Sequence, residues 1–71
     1  MQPYLHDGAD TGVTEYEIGN DYIVVRFRSG RTYRYSHGRA GEVHVRRMKE
    51  CARAGRGLST YISQHVHDLH D

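Results

Sequence analysis

The stretch Asp21-Tyr22-Ile23-Val24-Val25-Arg26-Phe27-Arg28-Ser29-Gly30-Arg31-Thr32-Tyr33-Arg34-Tyr35 decides the fold. It reads as two arms rich in β-branched and aromatic residues, broken at Ser29-Gly30 where the chain reverses, and that is the pattern of a β-hairpin. Loop length sets the pairing. A two-residue loop at Ser29-Gly30 would pair Phe27 with Thr32 and leave Tyr33 and Tyr35 on the face opposite Ile23, Val25 and Phe27. A three-residue loop, Arg28-Ser29-Gly30 with the glycine in the left-handed region as a bulge, pairs Phe27 with Arg31, Val25 with Tyr33 and Ile23 with Tyr35. This second register collects every large apolar side chain on one face. Because a slip of one residue turns all of them over, burial selects it. The expectation is Ile23, Val25, Phe27, Tyr33 and Tyr35 inside, with Tyr22, Val24, Arg26, Thr32 and Arg34 outside.

Upstream, Thr14-Glu15-Tyr16-Glu17-Ile18 alternates polar and apolar, and Gly19-Asn20-Asp21 is turn chemistry leading into the hairpin. The three arms make an antiparallel meander, with Glu15 and Glu17 on its outer face near Arg26 and Arg28. Cross-strand pairs of that kind are worth about 0.2–1 kcal/mol each. Residues 1–12 offer only Tyr4 and Leu5 as apolar candidates and read as a flexible lead-in. Residues 13–71 form the single domain.

Downstream, Ser36-His37-Gly38-Arg39 breaks the strand pattern and a helical period follows over about residues 40–54, with Val45, Met48, Cys51 and Ala52 on one stripe. No residue before it is a clear N-cap. Gly55-Arg56-Gly57 ends it, as glycine does at a helix C-terminus. A second helix starts near Ser59, a suitable cap, and carries Leu58, Ile62, Val66 and Leu69 beside Tyr61; its last turn, His67 to Asp71, is expected to fray. The order is βββαα, an α+β fold in which a three-stranded antiparallel meander is followed by two helices packed on one of its faces.

With 71 residues the chain forms one domain at most, and a chain this short buries only roughly 60% of its unfolded surface. Burial against a partner or a second copy would add to a small core. The single cysteine, Cys51, excludes an internal disulfide and a cysteine-based zinc cluster, and fits a reducing compartment. No apolar run approaches the roughly 20 residues of a membrane span, and the first residues lack the basic start and apolar region of a secretory signal. The cytoplasm is the expected location. Net charge is only +1, but it is distributed in blocks. The first 21 residues carry five acids and no Lys or Arg, residues 22–56 carry all ten basic residues against Glu42 and Glu50, and Asp68 and Asp71 follow. Such blocks arise from a nucleic-acid surface or from complementary elements within one fold.

Candidates for catalysis are few. Cys51 lies on the apolar stripe of the first helix and reads as a small buried filler. Gly55-Arg56-Gly57 lacks the spacing and the preceding strand of a phosphate loop. In His65-x-His67-x-x-His70-Asp71, helical residues two apart point about 200° away from each other, so His65 and His67 do not converge; His67 and His70 with Asp71 are the combination that could share an ion. A solvated tail is the favoured reading. No catalytic residue, metal, cofactor or small-molecule substrate is expected. Tyr33 and Tyr35 could be stacking platforms for unpaired bases, but the hairpin register turns them toward the helices, where they serve as core residues with anchored hydroxyls.

The basic residues are the functional lead. Arg46, Lys49 and Arg53 recur at three- and four-residue steps beside the apolar stripe, and Arg56 follows at the helix end. Arg26 and Arg34 share the outer face of the sheet, with Arg28, Arg31 and Arg39 near its ends. Clustered cations gain by releasing counterions from phosphates. The competing reading is that long arginine stems cover apolar surface while Glu42–Arg46 and Glu50–Arg53 pair along the helix.

The ordered set of motifs resembles a known family. Phe27-x-x-Gly30 followed by Tyr33-Arg34-Tyr35, then Met48-Lys49 and Ala52-x-Ala54-Gly55, then Gly57-Leu58-Ser59-Thr60-Tyr61-Ile62, is similar to the KTSC domain, a small domain at the C-terminus of some lysyl-tRNA synthetases and also a stand-alone bacterial protein. The likeness spans about residues 13–66, with Tyr33 and Tyr35 as its Tyr-x-Tyr and Gly30, Gly55 and Gly57 at its turns. Where many members place Val-Pro after the second tyrosine, this chain has Ser36-His37-Gly38-Arg39. The functional implication of the resemblance is RNA binding, drawn from the synthetase context.

Two functions stay open on the sequence. One is a non-catalytic module that binds RNA or other nucleic acid through Arg26, Arg34, Arg46, Lys49, Arg53 and Arg56. The other is a protein-interaction or homo-oligomerising domain that uses outer-face Tyr22 and Val24 or an unpaired strand edge.

Overall fold

A computed structural model describes residues 1–5 and 12–71 of the protein. The hairpin forms as the register argument requires. Strand β3 (Tyr22–Phe27) pairs antiparallel with β4 (Thr32–Ser36), with Ile23 opposite Tyr35 and Val25 opposite Tyr33. The loop closes through Phe27 N–H to the Arg31 carbonyl at 2.8 Å and Gly30 N–H to the Phe27 carbonyl at 2.9 Å. Gly30 sits at φ 94°, where a Cβ is strained, so this loop length depends on glycine.

Strand β2 (Val13–Ile18) lies beside β3, placing Tyr16 opposite Val25 and Ile18 opposite Ile23. Its register shifts between Val13 and Glu15, a bulge at Thr14 that lets Val13 and Tyr16 both face inward although they are an odd number of residues apart. The sheet has four strands rather than three. Residues Gln2–Pro3 form β1, antiparallel to β2, and the order is β1-β2-β3-β4. The rest of the expected lead-in, residues 6–11, lies outside the described residues.

Tyr4 explains why so short a strand is placed. It is buried, meets Tyr16 edge-on at 6.4 Å, and takes the Leu58 amide on its hydroxyl at 3.3 Å. The same hydroxyl thereby supplies an acceptor to the start of a helix that has no side-chain cap.

Helix α1 (Glu42–Ala54) follows Gly41, again with no side-chain cap, and ends where Gly55 turns left-handed at φ 74° and gives its N–H to the Cys51 and Ala52 carbonyls. Its inner stripe is Val45, Met48 and Ala52, with Cys51 half-buried at the margin. Helix α2 (Leu58–Tyr61) starts two residues earlier than a Ser59 cap would set it, with Gly57 turning the chain and Leu58 itself fully buried. It continues as a π-helical segment, Ile62–Val66. In an α-helix, residues at steps of four drift by roughly 40° per step. The wider turn brings Leu58, Ile62 and Val66 into one buried line.

The core is one cluster between the sheet's inner face and the helices: Val13, Tyr16, Ile23, Val25 and Tyr35 against Val45, Met48, Ala52, Leu58, Ile62 and Val66. Phe27 and Tyr33, read as inside, pack on its margin and are half-buried. The helical path ends at Val66, and the tail beyond it folds back onto β4. Asp71 gives its N–H to the Arg34 carbonyl and its carboxylate accepts from Ser36 Oγ, both at 2.7 Å. Among the described residues, no helix is long and apolar enough to cross a membrane.

Candidate nucleic-acid interface

Five of the six basic residues singled out in the sequence fall on two sides of the molecule. Arg26 and Arg34 project from the outer face of the sheet, and α1, which carries Arg46, Lys49 and Arg53, covers the inner face. The core lies between them, so the two sets do not converge.

Most of these side chains are already engaged. Arg26 meets Glu15 at 2.8 Å, as the cross-strand pairing predicts. Glu17 lies opposite Val24 rather than near Arg28, and accepts from the Tyr22 hydroxyl at 3.3 Å. The Arg34 guanidinium lies 4.6 Å over the Tyr22 ring, with its Nε 3.3 Å from Asp71. Arg46 reaches Glu42 at 3.5 Å along an exposed turn of α1. Lys49 donates to the carbonyls of Gly19 at 2.7 Å and Asn20 at 3.2 Å, clamping the β2–β3 turn to the helix. Arg53 borders a cleft with Gln2, Pro3, Leu5 and Tyr16, and Arg56 lies in the connection to α2.

Among the described residues, Arg28, Arg31, Arg39, Arg47 and Arg53 have no carboxylate within ion-pair distance. Arg28 and Arg31 belong to the hairpin tip. Arg31 is level with Phe27 across the loop, on the inner side of β4, and gives Nη1 to the Tyr33 hydroxyl at 3.3 Å. That bond, with the nearby phenol, holds the guanidinium above its ordinary pKa, so its charge is secure.

Beside that tip, the end of the sheet reaches past the helices and leaves an open groove of about 330 Å³. One wall is aromatic. Phe27 and Tyr33 meet at 5.7 Å and 66°, and the His70 imidazole lies 4.4 Å from the Tyr33 ring, tilted by 34°. The other wall comes from α2 and the π-helical segment through Ser59, Ile62, Ser63 and His67. No carboxylate lines the groove among the described residues. The sequence reading placed Tyr33 and Tyr35 together in the core; both line the groove beside His70, but Tyr35 is buried whereas Tyr33 packs on the core margin and is half-buried. The missed signal is Arg31-x-Tyr33, two polar-tipped residues on the inner face at the hairpin end, where the helices are too short to cover them.

A second cluster joins the helices. The Tyr61 hydroxyl and His44 Nδ1 share a hydrogen bond of 2.7 Å, and His65 stacks on the Tyr61 ring at 4.5 Å. Burial raises the pKa of Tyr61, with the Arg47 charge opposing, which moves the phenol away from proton exchange near neutral pH. The contact ties α1 to α2. His67 meets Asp68 at 3.3 Å, and His70 Nδ1 lies 3.1 Å from the Asp71 carbonyl. Among the described residues, no three His, Cys, Asp or Glu side chains are arranged to hold a metal ion.

On the outer face, Tyr22 lies beneath Arg34 and Val24 is half-buried. Of the exposed large apolar residues among those described, Met1 and Leu5 flank β1 and Val43 lies on α1. No family model, curated protein or solved structure matches the chain.

Proposed function

We propose that the protein is a small non-catalytic binding module of the KTSC type that takes RNA or other nucleic acid on its arginines, in the cytoplasm. The observation that carries this reading is the unequal use of the basic side chains. Arg26, Arg34 and Arg46 are matched by carboxylates and Lys49 is held by a turn, whereas Arg28, Arg31, Arg39, Arg47 and Arg53 have no acidic partner among the described residues. An unmatched guanidinium is free to neutralise a phosphate, which then releases its counterions. The interface is thus weighted toward the hairpin tip and the exposed side of α1, and away from the outer face of the sheet.

The test is fluorescence anisotropy with labelled single-stranded RNA and DNA at low and moderate salt. Micromolar binding that weakens steeply with salt is expected. Arg47→Glu/Arg53→Glu should lower the salt slope by about 0.7 for each single-strand phosphate that the variant no longer neutralises. Lys49 is left intact, because replacing it disturbs the fold as well as the charge. Binding that the double charge reversal leaves unchanged would overturn the placement on α1, and absence of binding at low salt would overturn the function.

A further inference from the structure

We propose that the groove between the β3–β4 hairpin and the π-helical segment is a nucleotide site, holding one unpaired base against the Phe27, Tyr33 and His70 rings with its phosphate on Arg31. The inference deepens the nucleic-acid reading and rests on it for the identity of the polymer, but not for the chemistry of the groove.

Four observations converge on this occupant. The volume, about 330 Å³, lies at the lower end of the range of small-ligand pockets, which suits one base better than a folded peptide segment. The aromatic wall already carries a flat nitrogen heterocycle, since the His70 imidazole packs on Tyr33 at 4.4 Å. Stacking of that kind holds bases without regard to sequence, because every base presents a π face. Opposite, the hydroxyls of Ser59 and Ser63 and the imidazole of His67 supply donors and acceptors for the polar edge of a base. Arg31 does not itself line the groove but reaches it through the Tyr33 hydroxyl, to which it donates at 3.3 Å, and no carboxylate lines the groove among the described residues. That charge pattern favours an anionic ligand and disfavours a cationic one.

The π-helical segment fits the same role. It widens the turn that carries Ile62 and Ser63, so the helix buries Ile62 while Ser63 stays exposed on the groove wall. Widened turns of this type recur at functional sites.

The experiment titrates ¹⁵N-labelled protein with adenosine and uridine monophosphates, and with inorganic phosphate as a control. It is repeated on Arg31→Ala and Tyr33→Leu, and each variant is also tested with the labelled oligonucleotide. Both nucleotides should shift the amides of Phe27, Ser59, Ser63 and His67, and phosphate alone should not. Tyr33→Leu should weaken nucleotide binding about tenfold or more, as loss of one stacking platform does. Arg31→Ala, at a fully exposed side chain that the core does not need, should weaken it by a similar factor. Shifts elsewhere, or equal shifts with phosphate alone, would overturn the site. Oligonucleotide binding that both variants leave unchanged would overturn the groove while sparing the broader reading. Nucleotide binding in the groove without salt-sensitive oligonucleotide binding would do the reverse.

Discussion

The Arg34 carbonyl accepts the Asp71 backbone N–H at 2.7 Å, and the two side chains meet again, Nε to Oδ2, at 3.3 Å. Because Phe27 and Arg31 form a hydrogen-bonded pair, the alternation of an antiparallel ladder turns the backbone groups of Thr32, Arg34 and Ser36 toward the open side of β4. That row is where a sheet invites another strand. Asp71 occupies its middle, and Ser36 Oγ adds a second hold on the same carboxylate. The tail therefore blunts the edge that an assembly role would need.

Replacing Asp71 with alanine should lower stability by about 0.5–1 kcal/mol, because the ion pair is half exposed and contributes little while the Ser36 hydrogen bond adds about as much again. A urea midpoint that falls at constant slope is the expected result. The exposed β4 edge should also raise self-association at high concentration, read by sedimentation. A variant as stable and as monomeric as the wild type would show that the tail merely rests there.

Two glycines with left-handed backbones should respond differently to alanine. Gly30, at φ 94°, has nothing within 4 Å of where a Cβ would stand, so Gly30→Ala meets only the backbone penalty of roughly 1–2 kcal/mol. At Gly55, φ 74°, the added Cβ would clash with the Leu5 carbonyl oxygen. Gly55→Ala should therefore be the more damaging of the two in thermal unfolding, and should loosen β1 from α1, seen as faster amide exchange at Tyr4. Equal losses at both sites would mean that the contact with Leu5 yields freely.

What the sequence made legible was whatever depends on local pattern plus burial. The hairpin register followed from keeping Ile23, Val25 and Tyr35 on one face, and the inner stripe of α1 from its period. Features that depend on distant partners were hidden. Strand β1 has two residues and exists because Tyr4 fits between Tyr16 and the start of α2. Val13 enters the core only through a bulge that breaks alternation at Thr14. The basic stripe on α1 was legible as a stripe, yet nothing in its spacing tells that Lys49 ends on the Gly19 and Asn20 carbonyls. Tyr33 and Tyr35 share a face by parity. They differ in how fully they are covered, Tyr35 being buried and Tyr33 half-buried on the core margin.

Lys49 gives a direct test of structure against charge. Lys49→Met keeps the stem over the core margin and removes both hydrogen bonds to the β2–β3 turn, so it should cost about 1–2 kcal/mol and weaken exchange protection at the Gly19 and Tyr22 amides. Lys49→Arg should recover part of the loss, since a guanidinium can still reach a carbonyl. If Lys49→Met keeps full stability but loses oligonucleotide binding, the ammonium serves phosphate rather than the turn.

Tyr35 sets the response to alkali. Burial, with Tyr33 adding to it, pushes its hydroxyl from the ordinary 10.0 up to about 12. Below pH 10 the phenol is protonated in folded and unfolded chains alike and contributes no pH dependence. Between about pH 10 and 12 the unfolded chain releases the proton and the folded chain retains it, so the folded state binds more protons and stability falls as pH rises. One such group gives a slope of at most about 1.4 kcal/mol per pH unit. Urea unfolding at pH 9, 10 and 11 should show that decline above pH 10, and Tyr35→Phe should flatten it. In the wild type, absorbance at the phenolate band should show a late-titrating phenol that Tyr35→Phe removes. A pH slope that Tyr35→Phe leaves unchanged would show that the alkaline loss does not arise from Tyr35.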